Sequence, residues 1–199
     1  MSASIAPLSS GFDDKVMDAS DCFRAILAAT AKPAVPITTP YISYDLNALN
    51  PSAISYLLTL ADFDTNLWLD TDYDSLALRS FLKFHTGCKI VDNPSLATFA
   101  VINIPNATSF CQGLPLGTAE YPDRAATVIL LTDGFTDTSG PTFSGPGIKT
   151  PRQFNAQGAT DEFWQIVQRN HHNFPCGLDW IFTSPDQIAA IPRSTKVEI

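Results

Sequence analysis

Two runs of mostly apolar residues, at positions 98–103 and 125–132, constrain the fold of this chain more than any other feature. Both consist mainly of Val, Ile, Leu, Phe, Ala and Thr, and neither alternates strictly between apolar and polar residues. Strands that are buried on both faces have this pattern, whereas a strand with one solvated face alternates. The shorter runs at 67–69 and 180–183 have the same character. The sequence therefore predicts a sheet that is covered on both faces.

Helical segments separate these predicted strands, and this alternation is typical of an α/β protein. The clearest helix begins at Asn50-Pro51, because Asn is a favoured cap and Pro a favoured first helical residue. Another helix is predicted to end at Gly87, where a left-handed residue is usual. The predicted helix starts are Asp18, with Asp18 or Ser20 as the cap, Asn50, Asp74 or Ser75, Thr160 or Asp161, and Ser184. Helical spacing in the first helix predicts a buried face of Phe23, Ile26, Leu27 and Thr30.

The chain of 199 residues is best interpreted as one α/β domain, with a mixed sheet flanked by helices. We expect residues 1–17 to form a flexible lead-in and residues 18–199 to form the domain. The segment 34–47 is predicted to be extended or irregular, and residues 194–199 to form a closing strand. No internal repeat or linker divides the chain.

The net charge of −8 argues against nucleic acid and anionic lipid as partners, since both attract clustered Lys and Arg. It does not argue against a small phosphorylated ligand, which a few backbone N–H groups or one Arg can hold. The first ten residues lack the pattern of a secretory signal, and no apolar run approaches membrane-spanning length. These features predict a cytoplasmic protein.

The sequence predicts neither a metal site nor a bound cofactor. The four cysteines form no Cys-x-x-Cys pair, and we expect buried, reduced thiols that act as small apolar side chains. Asp70, Asp72 and Asp74 begin like a calcium loop, but Ser75 and Phe81 stand where that loop needs Gly and Glu. These aspartates are therefore predicted to form turns and a helix cap.

The turn around Gly145, Gly147 and Lys149 is a candidate anion site, although it lacks the Gly-Lys-Ser/Thr order of a phosphate loop. Two glycines could expose N–H groups to an anion and Lys149 could add charge. The same residues also fit a tight turn that needs glycine only for its conformation.

Three further residues are candidates for ligand binding. His85 shares a predicted helix face with Phe81, where its imidazole could donate a proton, bind a ligand or simply pair with a backbone carbonyl. Arg193 could hold a phosphate or a carboxylate between its guanidinium nitrogens, or contact a partner. Thr195 lies two residues further along the same segment. No residue is assigned a catalytic role.

Several short strings, taken in order, carry a resemblance that none of them carries alone. They are Leu57-Leu58-Thr59-Leu60 with Asp62 and Asp64-Thr65, Phe84-His85-Thr86-Gly87, Gly117-Thr118-Ala119-Glu120, Phe174-Pro175-Cys176-Gly177-Leu178-Asp179 and Ile191-Pro192-Arg193-Ser194-Thr195-Lys196-Val197. Together they resemble the PhnH family of subunits of bacterial carbon–phosphorus lyase. The resemblance extends over residues 23–197 and weakens at 133–141, at 152–160 and at Trp180.

The resemblance implies a fold like the core of type I pyridoxal-phosphate transferases, without that cofactor. It implies a subunit that acts with PhnG, PhnI and PhnL to form alpha-D-ribose 1-methylphosphonate 5-triphosphate from ATP and methylphosphonate. It also implies a place in the core complex with the iron–sulfur subunit PhnJ, and a homodimer in isolation. It carries over no catalytic residue.

Three hypotheses for the function are open from the sequence. The first is a subunit that organises phosphonate–nucleotide chemistry, with a phosphorylated nucleotide as its ligand. The second is an independent transferase or hydrolase that uses His85, Lys149 or Arg193. The third is an assembly protein that docks partners and binds no substrate. The lack of any self-sufficient catalytic motif favours the first.

Overall fold

The computed structural model describes residues 11–40 and 49–199. The predictions for residues 1–10 of the lead-in and for residues 41–47 of the extended or irregular segment lie outside the described residues. The helices are α1 Met17–Ala31, α2 Pro51–Leu60, α3 Leu76–Thr86, α4 Ile104–Phe110 and α5 Asp161–His171. The strands are β1 Ile37–Thr38, β2 Asn66–Leu69, β3 Lys89–Ile90, β4 Phe99–Asn103, β5 Thr127–Leu131, β6 Phe135–Thr136, β7 Thr142–Gly145, β8 Ile148–Gln153, β9 Asn155–Ala156, β10 Asp179–Thr183, β11 Gln187–Ile191 and β12 Lys196–Glu198.

A seven-stranded mixed sheet forms the centre of the fold, in the order β1-β11-β10-β5-β4-β2-β3. Strands β10, β5, β4, β2 and β3 are parallel to one another, while β11 and β1 pair antiparallel at one end. Two smaller antiparallel sheets, β12-β7-β8 and β6-β9, accompany it. The predicted mixed sheet flanked by helices is confirmed, and so is the closing strand near the end of the chain.

Both faces of the central sheet are covered. Helices α1, α2 and α3 bury one face, and α4, α5 and the β7–β8 hairpin bury the other. Along β10, Trp180 and Phe182 join the core on the α5 side, whereas Ile181 joins the core on the α1 side. Since neither face meets water, consecutive residues of the central strands are apolar, and the two diagnostic runs do not alternate.

An aromatic cluster anchors α5 and the β7–β8 hairpin to the sheet. The Trp164 ring lies 5.0–6.3 Å, centroid to centroid, from four phenylalanine rings. Those rings belong to Phe143, Phe154, Phe163 and Phe182. The Trp164 Nε1–H donates a hydrogen bond of 3.0 Å to Asn155 Oδ1, so the one polar atom of this buried ring is paired.

Helix caps follow the sequence prediction in three of the helices. The side-chain oxygens of Asn50, Ser75 and Thr160 accept hydrogen bonds from the backbone N–H groups of Ala53, Leu78 and Phe163. Gly87 ends α3 with φ +72°, as predicted. At the start of α1, Asp14 accepts bonds from the first N–H groups, and neither Asp18 nor Ser20 caps the helix there.

The predicted buried face of α1 is wrong. Of its four residues only Ile26 is buried, while Phe23 and Leu27 are 51% and 58% exposed. The face that packs consists of Cys22, Ala25, Ile26 and Ala29. The prediction of a helix is right, but the face that it assigns to the core is wrong. Small side chains such as Ala allow close packing, yet they contribute little to the hydrophobic pattern from which the face was predicted.

The predicted helix start at Ser184 is also wrong. Residues 184–186 turn the chain between the antiparallel strands β10 and β11. Ser184 Oγ accepts a hydrogen bond of 3.1 Å from the Gln187 N–H, and Ser184 N–H donates one of 2.8 Å to the Gln187 carbonyl. A Ser and a Gln three residues apart therefore close a hairpin here instead of capping a helix.

The cysteine side chains differ in their accessibility. Cys22, Cys88 and Cys111 are buried, Cys176 is half-buried, and all four are free thiols. Burial raises the pKa of Cys22 and Cys88, and it raises that of Cys111 to about 12. The predicted buried reduced thiols are thus confirmed at three of the four positions.

This difference predicts selective labelling by a thiol reagent. At about pH 8 a raised pKa keeps the three buried thiols protonated and unreactive, so Cys176 should react first. We expect one thiol to react rapidly in the native protein and the other three to react only after unfolding. Mass spectrometry of digested, labelled protein would check this; equal labelling of Cys176 and a buried thiol would contradict it.

Candidate functional site

A crevice of about 370 Å³ opens at the carboxyl ends of the parallel strands. Tyr73, Asn103, Ile104, Leu131, Asp133 and Gln157 are among the residues that line it. In open α/β sheets ligands bind at this edge, because the loops that leave parallel strands diverge there. The crevice is therefore the candidate ligand site.

The residues at the ends of strands set the shape of the crevice. Asp70 follows β2 and is fully buried, and its carboxylate accepts bonds from the Asn103 backbone N–H at 3.3 Å and from Asn106 Nδ2 at 2.9 Å. Thr132 follows β5, and its hydroxyl donates a bond of 2.8 Å to the Gln157 carbonyl. These bonds hold the loops after β2, β4 and β5 and the segment carrying Gln157 in place.

The crevice is acidic. Asp133 lines it, and no Lys, Arg or His is among the described residues that do. Burial, together with the negative charges of Asp70, Asp72 and Asp133, raises the pKa of Tyr73 to about 12. The Tyr73 phenol therefore stays protonated and can donate a hydrogen bond. The lining favours neutral or cationic groups over phosphate.

The predicted anion turn lies elsewhere, at the tip of the β7–β8 hairpin. Gly145 and Gly147 have φ of +125° and +79°, and Lys149 is exposed on β8. A Cβ at Gly147 would collide with the Ala31 carbonyl oxygen at the end of α1 and would come within 2.8 Å of Pro33 Cδ. Close packing against α1 and left-handed backbone explain Gly147, and the anion-binding role of this turn stays a prediction.

Substitution of Gly147 tests this explanation. A side chain there meets both backbone strain and the Ala31 carbonyl, so Gly147→Ala should destabilise the protein by at least about 2 kcal/mol. Urea unfolding would measure the loss. Gly158→Ala is the matched control, since Gly158 has φ +89° but a Cβ there meets no atom within 4 Å. An equal loss in both variants would contradict the packing argument.

Arg193 is held by bonds within the protein. Its Nη2 donates to the Asp179 carboxylate at 2.5 Å, and its Nη1 donates to the Pro122 carbonyl at 2.6 Å. Its backbone N–H also donates to Asp179 Oδ1 at 2.8 Å. Thr195 is buried beside Gly145, and its hydroxyl has no partner among the described residues. The ligand-binding roles of Arg193 and Thr195 stay predictions.

His85 lies apart from the other candidates, on the side of the sheet that α1, α2 and α3 cover. Its ring is half-buried, 4.4 Å from the Phe81 ring and 5.0 Å from the Phe84 ring, centroid to centroid. A Cβ at Gly11 would lie 3.2 Å from His85 Nδ1. The structure therefore does not join His85 to Lys149 or Arg193, and its ligand-binding role stays a prediction.

Three of the strings singled out in the sequence meet around Arg193 at the amino edge of the sheet. Asp179 ends one string and Arg193 belongs to another, and their ion pair joins them. The Gly177 N–H donates a bond of 2.8 Å to the Leu116 carbonyl, next to the string 117–120. These three strings, which are far apart in the sequence, therefore form one structural junction.

The sequence matches the family model described as "Bacterial phosphonate metabolism protein (PhnH)" over residues 10–198. This chain belongs to the PhnH family. The match covers every strand and helix described above, so the family extends over the whole described fold.

Two curated proteins are similar to this PhnH-family chain. The alpha-D-ribose 1-methylphosphonate 5-triphosphate synthase subunit PhnH of Rhizobium meliloti (strain 1021) is 28% identical over 198 residues, which cover 100% of this chain and 99% of that protein. HtxG of Stutzerimonas stutzeri, provisionally named as a C-P lyase subunit, is 29% identical over 84 residues, which cover 42% of this chain and 43% of HtxG.

Sequence reasoning missed the crevice that this PhnH-family fold forms. The signal was present, since Asp70, Asn103 and Thr132 each stand at or directly after the end of a predicted strand. Parallel strands bring such positions to one edge.

Among the described residues, no group of three or more His, Cys, Asp or Glu could hold a metal ion. No helix in the described ranges is long and apolar enough to cross a bilayer.

Proposed function

We propose that this protein is a subunit of the enzyme system that forms alpha-D-ribose 1-methylphosphonate 5-triphosphate during phosphonate breakdown. The end-to-end similarity to the Rhizobium meliloti synthase subunit carries this proposal. The match of residues 10–198 to the PhnH family supports it. The absence of a self-sufficient catalytic motif from the sequence fits a subunit that works with others.

The partners proposed for it are PhnG, PhnI and PhnL in the synthase reaction and PhnJ in the core complex. A tagged copy, purified from cells grown on methylphosphonate as the phosphorus source, should bring these proteins with it. An unrelated tagged protein, purified from cells grown in the same way, serves as the control for nonspecific recovery. Recovery of the tagged protein without any of these partners would contradict the proposal.

A role in assembly is a second candidate, which the outer face of α1 favours. Val16, directly before α1, and Phe23 and Leu27 within it are 76%, 51% and 58% exposed. Spacings of seven and four residues place them on one side of the helix and its first turn. Exposed apolar side chains in a row are typical of a contact with another protein. In the same purification, the double variant Phe23→Ser, Leu27→Ser should lower partner recovery. Phe63→Ser is the control, because this side chain is 68% exposed but lies between α2 and β2, and it should leave recovery unchanged.

We further propose that the sheet shares its arrangement with the core of type I pyridoxal-phosphate transferases. The mostly parallel seven-stranded sheet with helices on both faces supports this likeness.

The proposal also includes a cytoplasmic location and a homodimer of the isolated protein. Superposition of an experimental structure would test the fold, and sedimentation of the purified protein would test the dimer.

The domain organisation proposed is a single unit over residues 18–199. The two cores lie on opposite faces of the same sheet and share its strands, which supports joint folding. Calorimetry should show one unfolding transition; two resolved transitions would contradict a single unit.

A further inference from the structure

We propose that the crevice at the carboxyl edge of the sheet binds the nucleoside part of a nucleotide, its sugar and base, and leaves the phosphate groups outside. This inference rests on the proposed function, which supplies a ribose-containing substrate. It adds which part of that substrate the crevice takes.

The size and position of the crevice fit such a ligand. Sites for small molecules measure about 300–1,000 Å³, so a crevice of about 370 Å³ is near the small end of that range. It has room for a sugar and a base but little for a complete triphosphate in addition. It opens where the loops after β2, β4 and β5 diverge, the edge at which sheets of this class bind nucleotides.

The polar side chains in the crevice suit hydroxyl groups and a base edge. Asn103, Asp133 and Gln157 make no side-chain hydrogen bond to other described residues, although backbone bonds fix the chain at Asn103 and Gln157. A carboxylate accepts hydrogen bonds from sugar hydroxyls, and carboxamides both donate to and accept from a base edge. The three groups thus offer the two kinds of hydrogen bond that a nucleoside requires.

Apolar surface completes the site. Ile104 is buried at the start of α4, and Pro105, Leu131 and Pro185 lie around it at the crevice. Small-molecule sites combine such surface with a few polar groups that fix orientation. A flat base can pack against this surface while its sugar reaches Asp133.

The charge of the crevice opposes phosphate. Asp133 lines it, the negative charges of Asp70 and Asp72 act on the lining residue Tyr73, and no cation stands among the described lining residues. Repulsion between one carboxylate and one phosphate charge several ångströms apart at an intermediate dielectric weakens binding by about fivefold. The triphosphate end therefore points out of the crevice, toward solvent or a partner subunit.

Calorimetry with adenosine and ATP, without Mg²⁺ and at low ionic strength, tests the proposal directly. Adenosine should bind at least about fivefold more tightly than ATP. Tighter binding of ATP than of adenosine would overturn the proposal. So would the absence of adenosine binding up to about 5 mM, a range that detects millimolar affinity.

Variants at Asp133 sharpen the test. Asp133→Asn loses the same sugar contact for both ligands and the repulsion for ATP alone, so it should raise the ratio of ATP affinity to adenosine affinity by about fivefold, a change that a misfolded protein cannot produce. Asp64→Asn is the matched control, because Asp64 is exposed in the turn before β2, at the opposite edge of the sheet. It should leave both affinities unchanged. An unchanged ratio in Asp133→Asn would overturn the site.

Failure of this inference can be told apart from failure of the proposed function. If the partners copurify but Asp133→Asn leaves the ratio of affinities unchanged, the nucleoside site is wrong and the subunit role stands. If adenosine binds as expected but no partner copurifies, the site stands and the proposed function is wrong.

Discussion

Trp164→Ala should lower the free energy of unfolding by about 4 kcal/mol, the range measured for removal of a fully buried aromatic ring. Trp164 is 1% exposed, and four phenylalanine rings surround it. Its removal should leave a cavity, because the four rings are fixed on β7, β10 and α5 and at the residue between β8 and β9. Urea unfolding, followed by circular dichroism, measures the change.

Trp164→Phe is the control for this variant. It keeps a ring in the cluster but loses the hydrogen bond from Nε1 to Asn155 Oδ1, so it should cost about 1–2 kcal/mol. Equal losses in the two variants would show that the hydrogen bond matters and the ring packing does not. A loss below about 1 kcal/mol in Trp164→Ala would contradict the packing of α5 described here.

Arg193→Met should lower the free energy of unfolding by about 2–3 kcal/mol. The side chains of Arg193 and Asp179 are 14% and 30% exposed, so the variant leaves a largely buried carboxylate without its cation. It also removes the bond from Nη1 to the Pro122 carbonyl, which ties the loop before β5 to this junction. Partial solvent access keeps the loss below that of a fully buried pair.

Two further variants show whether the loss comes from the burial of the ion pair and from the shape of the guanidinium group. Arg24→Met breaks an ion pair with Asp21 whose side chains are 71% and 54% exposed, and it should change stability by less than about 0.5 kcal/mol. Arg193→Lys keeps the charge but cannot reach both acceptors, so its loss should be intermediate. If Arg193→Met is as stable as Arg24→Met, the junction is not structural and a ligand or partner role for Arg193 gains support.

The sheet and most helix ends follow from local physical chemistry, which a sequence displays. The runs at 98–103 and 125–132 are apolar at consecutive positions because both faces of β4 and β5 are buried. Asn50, Ser75 and Thr160 are recognisable as caps because the hydrogen bonds they accept lie within three residues.

The sequence-based predictions that were wrong concern features that depend on contacts between segments far apart in the chain. The face of α1 was misplaced because Ala25 and Ala29 pack by being small, and only the fold shows what approaches them. Ser184 and Gln187 have the spacing of a helix cap, and the antiparallel partner strand decides that they form a hairpin. The resemblance to the PhnH family rests in part on three strings that meet at the junction around Arg193, and their proximity appears only in three dimensions.

The candidate site residues also differ in whether the sequence could indicate them. The residue types of Gly145, Gly147 and Lys149 fit an anion turn, yet the structure places Gly147 against the end of α1, Gly145 beside residues 194–196, and Lys149 in solvent. The crevice residues Asn103, Asp133 and Gln157 carry no motif. They come together because β4 and β5 are parallel neighbours and because β9, directly before Gln157, pairs with β6, shortly after Asp133. Topology, which short motifs do not encode, assembled this site.

Reconstitution of the synthase reaction tests the subunit role most directly. Purified PhnG, PhnI and PhnL proteins would be mixed with ATP and methylphosphonate, with and without this protein, and release of adenine would be measured by chromatography. We expect adenine release to require all four proteins, with none from this protein alone. Equal release with and without it would contradict the role proposed here.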